Sequence, residues 1–154
     1  MNIDRWMLSK YDFVIKIVNK SENALPKYAR AGDAGMDICA SEDVTLKAFN
    51  WHKVSTGLYV EIPIGYEIQI RSKSGLASKY GVFVLNSPGT IDSGYRDELK
   101  VILMNHGQWA YEVKKGDRIA QLVISPMTQA QLKEIYEMES DDDRGGGLGS
   151  TGVK

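Results

Sequence analysis

Alternation with a period of two residues runs through most of this chain, and it restricts the fold more than any other feature. Tyr66, Ile68 and Ile70 face one way and Glu67, Gln69 and Arg71 the other, which is a strand with one dry face and one wet face. An apolar β-branched run over 13–18 predicts a first strand. Residues 53–62 predict another, stopped by Pro63 and the turn at Ile64-Gly65. Further strands are expected over 99–104, 109–113 and 118–125. Turn-formers separate them at Asn86-Ser87-Pro88-Gly89, His106-Gly107 and Lys115-Gly116-Asp117. Helical spacing is confined to 74–80, a turn or two. Many short strands with Gly and Pro between them predict an all-β sandwich or jelly roll.

The 99–104 strand carries additional information. Leu99, Val101 and Leu103 form one face, and Lys100, Ile102 and Met104 the other, so both faces are mostly apolar. Either the strand is internal or a second subunit covers it.

Composition narrows the function classes. A length of 154 residues fits one domain, and 43% apolar with 25% charged residues is a globular balance. A net charge of -1 excludes a general basic surface for nucleic acid. The single cysteine, Cys39, excludes an intramolecular disulfide, and with only His52 and His106 a protein-built zinc site is not expected. No apolar run approaches the roughly 20 residues that cross a bilayer. Residues 1–10 hold Asp4, Arg5 and Lys10 and lack an apolar signal core. The expectation is a soluble, cytoplasmic protein without a membrane or nucleic-acid partner. The C-terminus is of different composition, with five glycines among the eight residues 145–152. Residues 1–139 therefore read as one β domain. Residues 140–154 read as a flexible Gly-rich arm, either a frayed tail or a segment that closes over an anion.

Four segments could carry chemistry. Residues 31–37 hold Asp33 and Asp37, readable as acidic turn caps or as carboxylates near hydrated Mg²⁺. Residues 71–77 end a strand in Arg71, Ser72, Lys73 and Ser74 before Gly75, the chemistry of a phosphate cradle without the Walker spacing. Residues 86–96 suggest a hairpin arm projecting Asp92 and the Tyr95 ring. In the arm, Arg144, Ser150 and Thr151 are further donors to an anion.

Taken in order, residues 31–40, 71–77, 89–99, 116–122 and 144–152 resemble the five ordered motifs of the trimeric dUTP pyrophosphatases (dUTPases). The segments are Ala-Gly-Asp-Ala-Gly-Met-Asp, Arg-Ser-Lys-Ser-Gly-Leu-Ala, Gly-Thr-Ile-Asp-Ser-Gly-Tyr-Arg, Gly-Asp-Arg-Ile-Ala-Gln-Leu and Arg-Gly-Gly-Gly-Leu-Gly-Ser-Thr-Gly. The resemblance implies an all-β, dUTPase-like jelly-roll/β-clip subunit with one short helix, a homotrimer, and active sites shared between subunits. It implies hydrolysis of dUTP to dUMP and pyrophosphate with Mg²⁺. Asp92 matches the catalytic, water-holding aspartate. Tyr95 matches the ring that stacks on deoxyribose, and Asn86, Gly89, Thr90 and Ile91 match the segment that reads uracil. Lys73, Ser74, Gly75 and Gln121 match phosphate contacts. Arg144, Leu148, Gly149, Ser150 and Thr151 match the closing arm, and Asp37 the aspartate that reaches Mg²⁺ through water.

Three positions depart from that pattern. Lys73 stands where arginine is usual and lacks its bidentate fork. Asp97 stands for a glycine, and Leu148 for a phenylalanine that stacks on uracil. The rival enzyme reading is a dCTP deaminase or bifunctional enzyme of the same fold. That chemistry needs a glutamate where this chain has Ile102. A non-catalytic nucleotide-binding module is the other alternative, and it gives no chemical reason for keeping Asp92, Gln121 and Arg144 together.

Overall fold

The computed structural model describes residues 14–137. Eleven strands and one helix run in the order β1 (Lys16–Asn19), β2 (Gly35–Cys39), β3 (Val44–Leu46), β4 (Asn50–Ser55), β5 (Leu58–Glu61), β6 (Tyr66–Ser72), α1 (Ser74–Tyr80), β7 (Val82–Val84), β8 (Gly89–Ile91), β9 (Lys100–Asn105), β10 (Tyr111–Val113) and β11 (Arg118–Pro126). All pairings are antiparallel. They build a four-stranded sheet β2-β11-β6-β8, a three-stranded sheet β4-β9-β7, and the pairs β1-β5 and β3-β10. The all-β architecture with one short helix is the one the alternation demands.

The inner faces meet in one core that includes Ile38, Leu46, Val54, Ile68, Ile70, Leu99, Val101, Leu103, Val113, Ile119 and Leu122. Buried Asn105 pins loops to this core. Its Nδ2 donates to the carbonyls of Leu46 (2.9 Å) and Trp109 (2.8 Å), and its Oδ1 accepts from the Gly107 N–H (2.9 Å). Among the described residues no buried side-chain polar atom lacks a partner.

Helix α1 covers the expected 74–80. It ends at Gly81, whose φ of 68° is left-handed and whose N–H caps the carbonyls of Ala77 and Leu76. Several strand limits differ from the sequence expectation. The 53–62 run is two strands in different sheets, because Gly57 (φ 71°) turns the chain between β4 and β5. The first strand begins at Lys16, paired with Glu61, since Pro63 has no N–H to extend the ladder beyond β5; Phe13 lies outside the described residues. The 109–113 run is shorter as well. Trp109 is 83% exposed, its carbonyl is engaged by Asn105, and β10 starts at Tyr111. β3, β7 and β8 have three residues each, too few to show a period.

In β9, Val101, Leu103 and Asn105 are buried while Ile102 and Met104 are half-buried on the outward face. Met104 lies between Trp51 of β4, 51% exposed, and Phe83 of β7. The strand is central in its sheet, and its second face is an apolar surface of the single chain.

Gly57 is the most constrained glycine. Besides its positive φ, an added Cβ would lie 2.8 Å from the Ser21 Cβ and backbone N. Gly57→Ala is therefore expected to lower the unfolding free energy by about 2 kcal/mol or more, read from the urea midpoint.

Candidate functional site

The outward face of the four-stranded sheet is polar because its strands alternate in register. Asp37 of β2, Gln121 of β11 and Arg71 of β6 stand in one cross-strand row. Asp37 collects the charge around it. Its Oδ1 accepts from Lys73 Nζ at 2.7 Å and Gln121 Nε2 at 3.3 Å, and Arg118 Nη1 lies 3.5 Å from Oδ2. The Lys73 and Asp37 side chains are 23% and 26% exposed, so their ion pair sits in a half-dry recess. Lys73 reaches it from the end of β6, where the Ser72 Oγ accepts the Val84 N–H at 2.9 Å and fixes the turn into α1.

Arg118 owes its place to a bulge in β11. Arg118 pairs with Cys39 and Ala120 with Ile38, so Ile119 is an extra residue. In a regular ladder over the same residues Ile119 would face out and Arg118 into the core. With the bulge, Ile119 and Ala120 are both buried and Arg118 joins Asp37 and Gln121 outside. The sequence reading gave Arg118 no role. The signal available was the break in alternation at Ile119-Ala120.

An open cleft of about 280 Å³ adjoins this cluster, lined by Lys27, Ala29, Asp33, Ala34, Gly35, Asp37 and Gln121. The two carboxylates of the 31–37 segment differ in their work. Asp33 closes a turn, with Oδ2 accepting the Arg30 N–H at 2.8 Å, whereas Asp37 faces the cluster. Arg71, expected as a cation of the phosphate cradle, donates twice to Gln69 Oε1 (2.9 and 2.6 Å), and Gln69 donates to Glu67 (2.7 Å). Ser74 and Gly75 are exposed in the first turn of α1. Gly75 has no neighbour within 4 Å of an added Cβ and no positive φ, so nothing within the described chain requires glycine there.

Asn86, Gly89, Thr90, Ile91, Asp92 and Tyr95 form a second group. The 86–96 segment is not a free hairpin arm. Gly89–Ile91 pairs with Ile70–Ile68 as the edge of the four-stranded sheet, and a Cβ at Gly89 would lie 3.2 Å from the Asn86 Nδ2 and 3.3 Å from the Ile70 Cβ. Thr90 is exposed opposite Gln69, and Asp92 is exposed just past the strand end. Tyr95 does not project as expected. Its ring packs on the core and its hydroxyl donates to the Glu98 carbonyl at 2.9 Å. Burial, with Asp97 and Glu98 nearby, raises the Tyr95 pKa above the usual phenol value and keeps that hydroxyl a donor. The Tyr95 N–H in turn donates to the Asp92 carbonyl at 3.0 Å.

The two groups meet where Gly89 pairs with Ile70, but Asp92 and Lys73 are far apart within one chain. Ile91 pairs with Ile68, which sets Asp92 at the Glu67 end of β6, while Lys73 follows its other end. Six residues of strand rise separate them by roughly 20 Å. Arg144, Leu148, Gly149, Ser150 and Thr151 lie outside the described residues.

The dUTPase family profile matches residues 21–152, nearly the whole chain and every segment named above. The chain belongs to the dUTPase family. It is 51% identical over 140 residues to the deoxyuridine 5'-triphosphate nucleotidohydrolase of Nautilia profundicola, covering 90% of this chain and 98% of that one. Identity to the same-named protein of Zymomonas mobilis is 49% over 128 residues, covering 83% and 88%. Among solved structures, a variant dUTPase of Staphylococcus bacteriophage 80alpha with dUpNHpp superposes with a TM-score of 0.84 at 30% identity, covering 91% of this chain and 99% of that one. A dUTPase from phage phi11 of S. aureus, described with a structural Mg(II) ion, gives 0.76 at 28% identity over 83% and 100%. The all-β dUTPase fold is thus shared across distant members.

Cys39 reports on this family member's cluster. Burial raises its pKa above the ordinary thiol value, and Asp37 raises it further against the opposing pull of Arg118. Asp37→Asn removes one raising charge and leaves the cations, so the pKa falls and the thiolate fraction rises. Alkylation of Cys39 by iodoacetamide at pH 8 is expected to run several-fold faster in Asp37→Asn than in the parent.

Proposed function

We propose that the protein hydrolyses dUTP to dUMP and pyrophosphate by attack of water on the α-phosphorus, in sites built where copies of the chain meet. The observation that carries this reading is the distance on one sheet between Asp92 and Lys73, both of which match the family's motifs. The phosphates of a nucleotide are contiguous, whereas Lys73 and Asp92 of one chain lie roughly 20 Å apart along β6. Both groups serve one substrate if the β8 edge of one copy faces the Asp37-Lys73-Gln121 cluster of another.

Within that site Asp92 is the catalytic residue. Neutral water is a poor nucleophile, and an exposed carboxylate both orients it in line with the leaving pyrophosphate and accepts its proton. Tyr95 presents its ring to the deoxyribose and refuses a 2′-hydroxyl. Asn86 and the backbone of Gly89, Thr90 and Ile91 read uracil and exclude the methyl of thymine. Lys73, Ser74, Gly75 and Gln121 hold phosphate oxygens, and Arg144, Leu148, Gly149, Ser150 and Thr151 close over the triphosphate. The activity keeps uracil out of DNA and supplies dUMP for thymidylate synthesis. A cytoplasmic location fits that role, and among the described residues no helix is long and apolar enough to cross a membrane.

The donor set fits Mg²⁺ held through water. Asp37 is one half-buried carboxylate, and among the described residues no three metal-binding side chains cluster. That suits a cation coordinated mainly by triphosphate oxygens rather than by a protein cage. Mg²⁺, when bound, neutralises charge developing on the leaving group. Lys73 then turns from Asp37 toward phosphate, supplying charge without a fork.

Two apolar features support a homotrimer. The outward face of β4-β9-β7 carries Trp51, Phe83, Ile102 and Met104. Residues 128–137 are exposed throughout, with Leu132 and Tyr136 fully open to solvent. The deaminase alternative is disfavoured at Ile102, whose cross-strand neighbour on β4 is Lys53 rather than an acid.

Pyrophosphate release with Mg²⁺ is expected from dUTP in strong preference to UTP, dCTP and dTTP. Asp92→Asn should lose at least about a hundredfold in kcat; release without that preference, or a variant that keeps most of the rate, refutes the assignment. Met104→Asp touches no site residue, yet it should reduce the mass measured by light scattering and abolish turnover together. A fully active monomer refutes the shared site.

A further inference from the structure

We infer that Glu98 is a positioning residue for sugar selection: it locks the wall formed by Tyr95 to the β4–β5 crossover. The inference rests on the reading of Tyr95 as the ring that meets the deoxyribose, and it adds a residue to that reading.

The frame is a set of hydrogen bonds around one crossover. Where the chain leaves β4 for β5, the N–H groups of Thr56 and Gly57 have no strand partner. Glu98 Oε1 accepts both, at 3.2 and 2.8 Å. Its other oxygen lies 3.6 Å from Lys100 Nζ, and the side chain is only 19% exposed. The neighbouring residue is fixed from both sides. The Leu99 N–H donates to the Leu58 carbonyl at 2.8 Å, and the Leu99 carbonyl accepts the buried Thr56 hydroxyl at 2.6 Å. The Glu98 carbonyl between these ties is therefore immobile, and it is this carbonyl that holds the Tyr95 hydroxyl. The ring is fixed at its hydroxyl by Glu98 and along its body by the core, and the Tyr95 N–H carries that rigidity to Asp92.

Steric refusal of a hydroxyl requires a wall that does not yield. An added oxygen is a small difference, and a ring free to shift by an ångström would admit it. Removing the Glu98 carboxylate leaves two backbone donors of the crossover without an acceptor. The crossover then rearranges to find one, and the carbonyl behind the Tyr95 hydroxyl moves with it.

The test measures kcat/KM for dUTP and for UTP in the full-length protein and in Glu98→Ala and Glu98→Gln. Glu98→Ala should shrink the dUTP-to-UTP ratio by about tenfold, as the loss of a buried acceptor predicts. Glu98→Gln keeps an acceptor oxygen and should restore the ratio to within about threefold of the parent. A Glu98→Ala protein with a lower melting temperature but an unchanged ratio overturns the inference and leaves Glu98 purely structural. Should Glu98→Ala not fold, Tyr95→Phe removes the same tie from the other side; there too a reduced ratio supports the inference and an unchanged one overturns it. A parent protein that shows no preference for dUTP overturns the activity reading and this inference together. A parent with the preference and a Glu98→Ala that keeps it overturns this inference alone.

Discussion

The ladder between β6 and β11 is the constraint on which the rest of the molecule depends. Seven consecutive residue pairs, from Ala120 opposite Ser72 to Pro126 opposite Tyr66, fix the register of the sheet. A slip of β6 by one residue would send Ile68 and Ile70 to solvent and Gln69 and Arg71 into the core. The same ladder therefore makes the core dry and the functional face polar. The bulge at Ile119 adds what a regular ladder cannot. It puts two consecutive apolar residues inside while turning Arg118 out beside Asp37.

The charge around Asp37 follows from that geometry. One carboxylate meets Lys73 directly and Arg118 at the limit of ion pairing, leaving the cluster net positive. Such a recess attracts a phosphate chain but does not neutralise it. Lys27 on the adjoining cleft and Arg71 in the same row are further cations within reach, and Arg144 of the arm and a metal ion would add to them. Asp37 meanwhile keeps the Lys73 ammonium ordered in a half-dry place, where an unpaired charge would be costly. On the proposed reading, exchange of that partner for phosphate oxygens would replace one ion pair with another, so Lys73 would not be left without a counter-charge.

Much of this was legible in the sequence, for definite reasons. The faces of β6 and β9, helix α1 and the grouping of Asp37 with Lys73 and Gln121 follow from local alternation and from ordered motifs spread along the chain. Three-residue strands such as β7 and β8 do not, because their existence depends on partners distant in sequence. The turn at Gly57 was hidden inside an apolar run that looks continuous. The reading of 86–96 as a projecting arm failed because a segment rich in Gly, Ser and Pro gives no sign of which edge will capture it. Arg118 was overlooked because a bulge is a property of two strands together. Glu98 was overlooked because its partners are backbone N–H groups forty residues earlier in the chain.

The separation of Asp92 from Lys73 is a consequence of building a site on a sheet. Residues at opposite ends of one strand cannot be brought together without breaking its ladder, and β6 is the strand that orders the core. Twist turns the strand ends relative to each other but does not shorten the strand. A single domain could reach across with a long loop, at a cost in conformational entropy that grows with the loop. Association solves the problem differently. Under the proposed arrangement, placing one copy's β8 edge against another copy's β2-β11 cluster would bring preformed halves together, and the apolar face around Met104 would supply surface for contact. In the proposed shared site the sheet would stay regular, each half-site would keep its own register, and the chemistry would need the assembled protein. Stability of the assembly and catalytic competence would then become one property. The arrangement would also account for the apolar outward face that Trp51, Phe83, Ile102 and Met104 form.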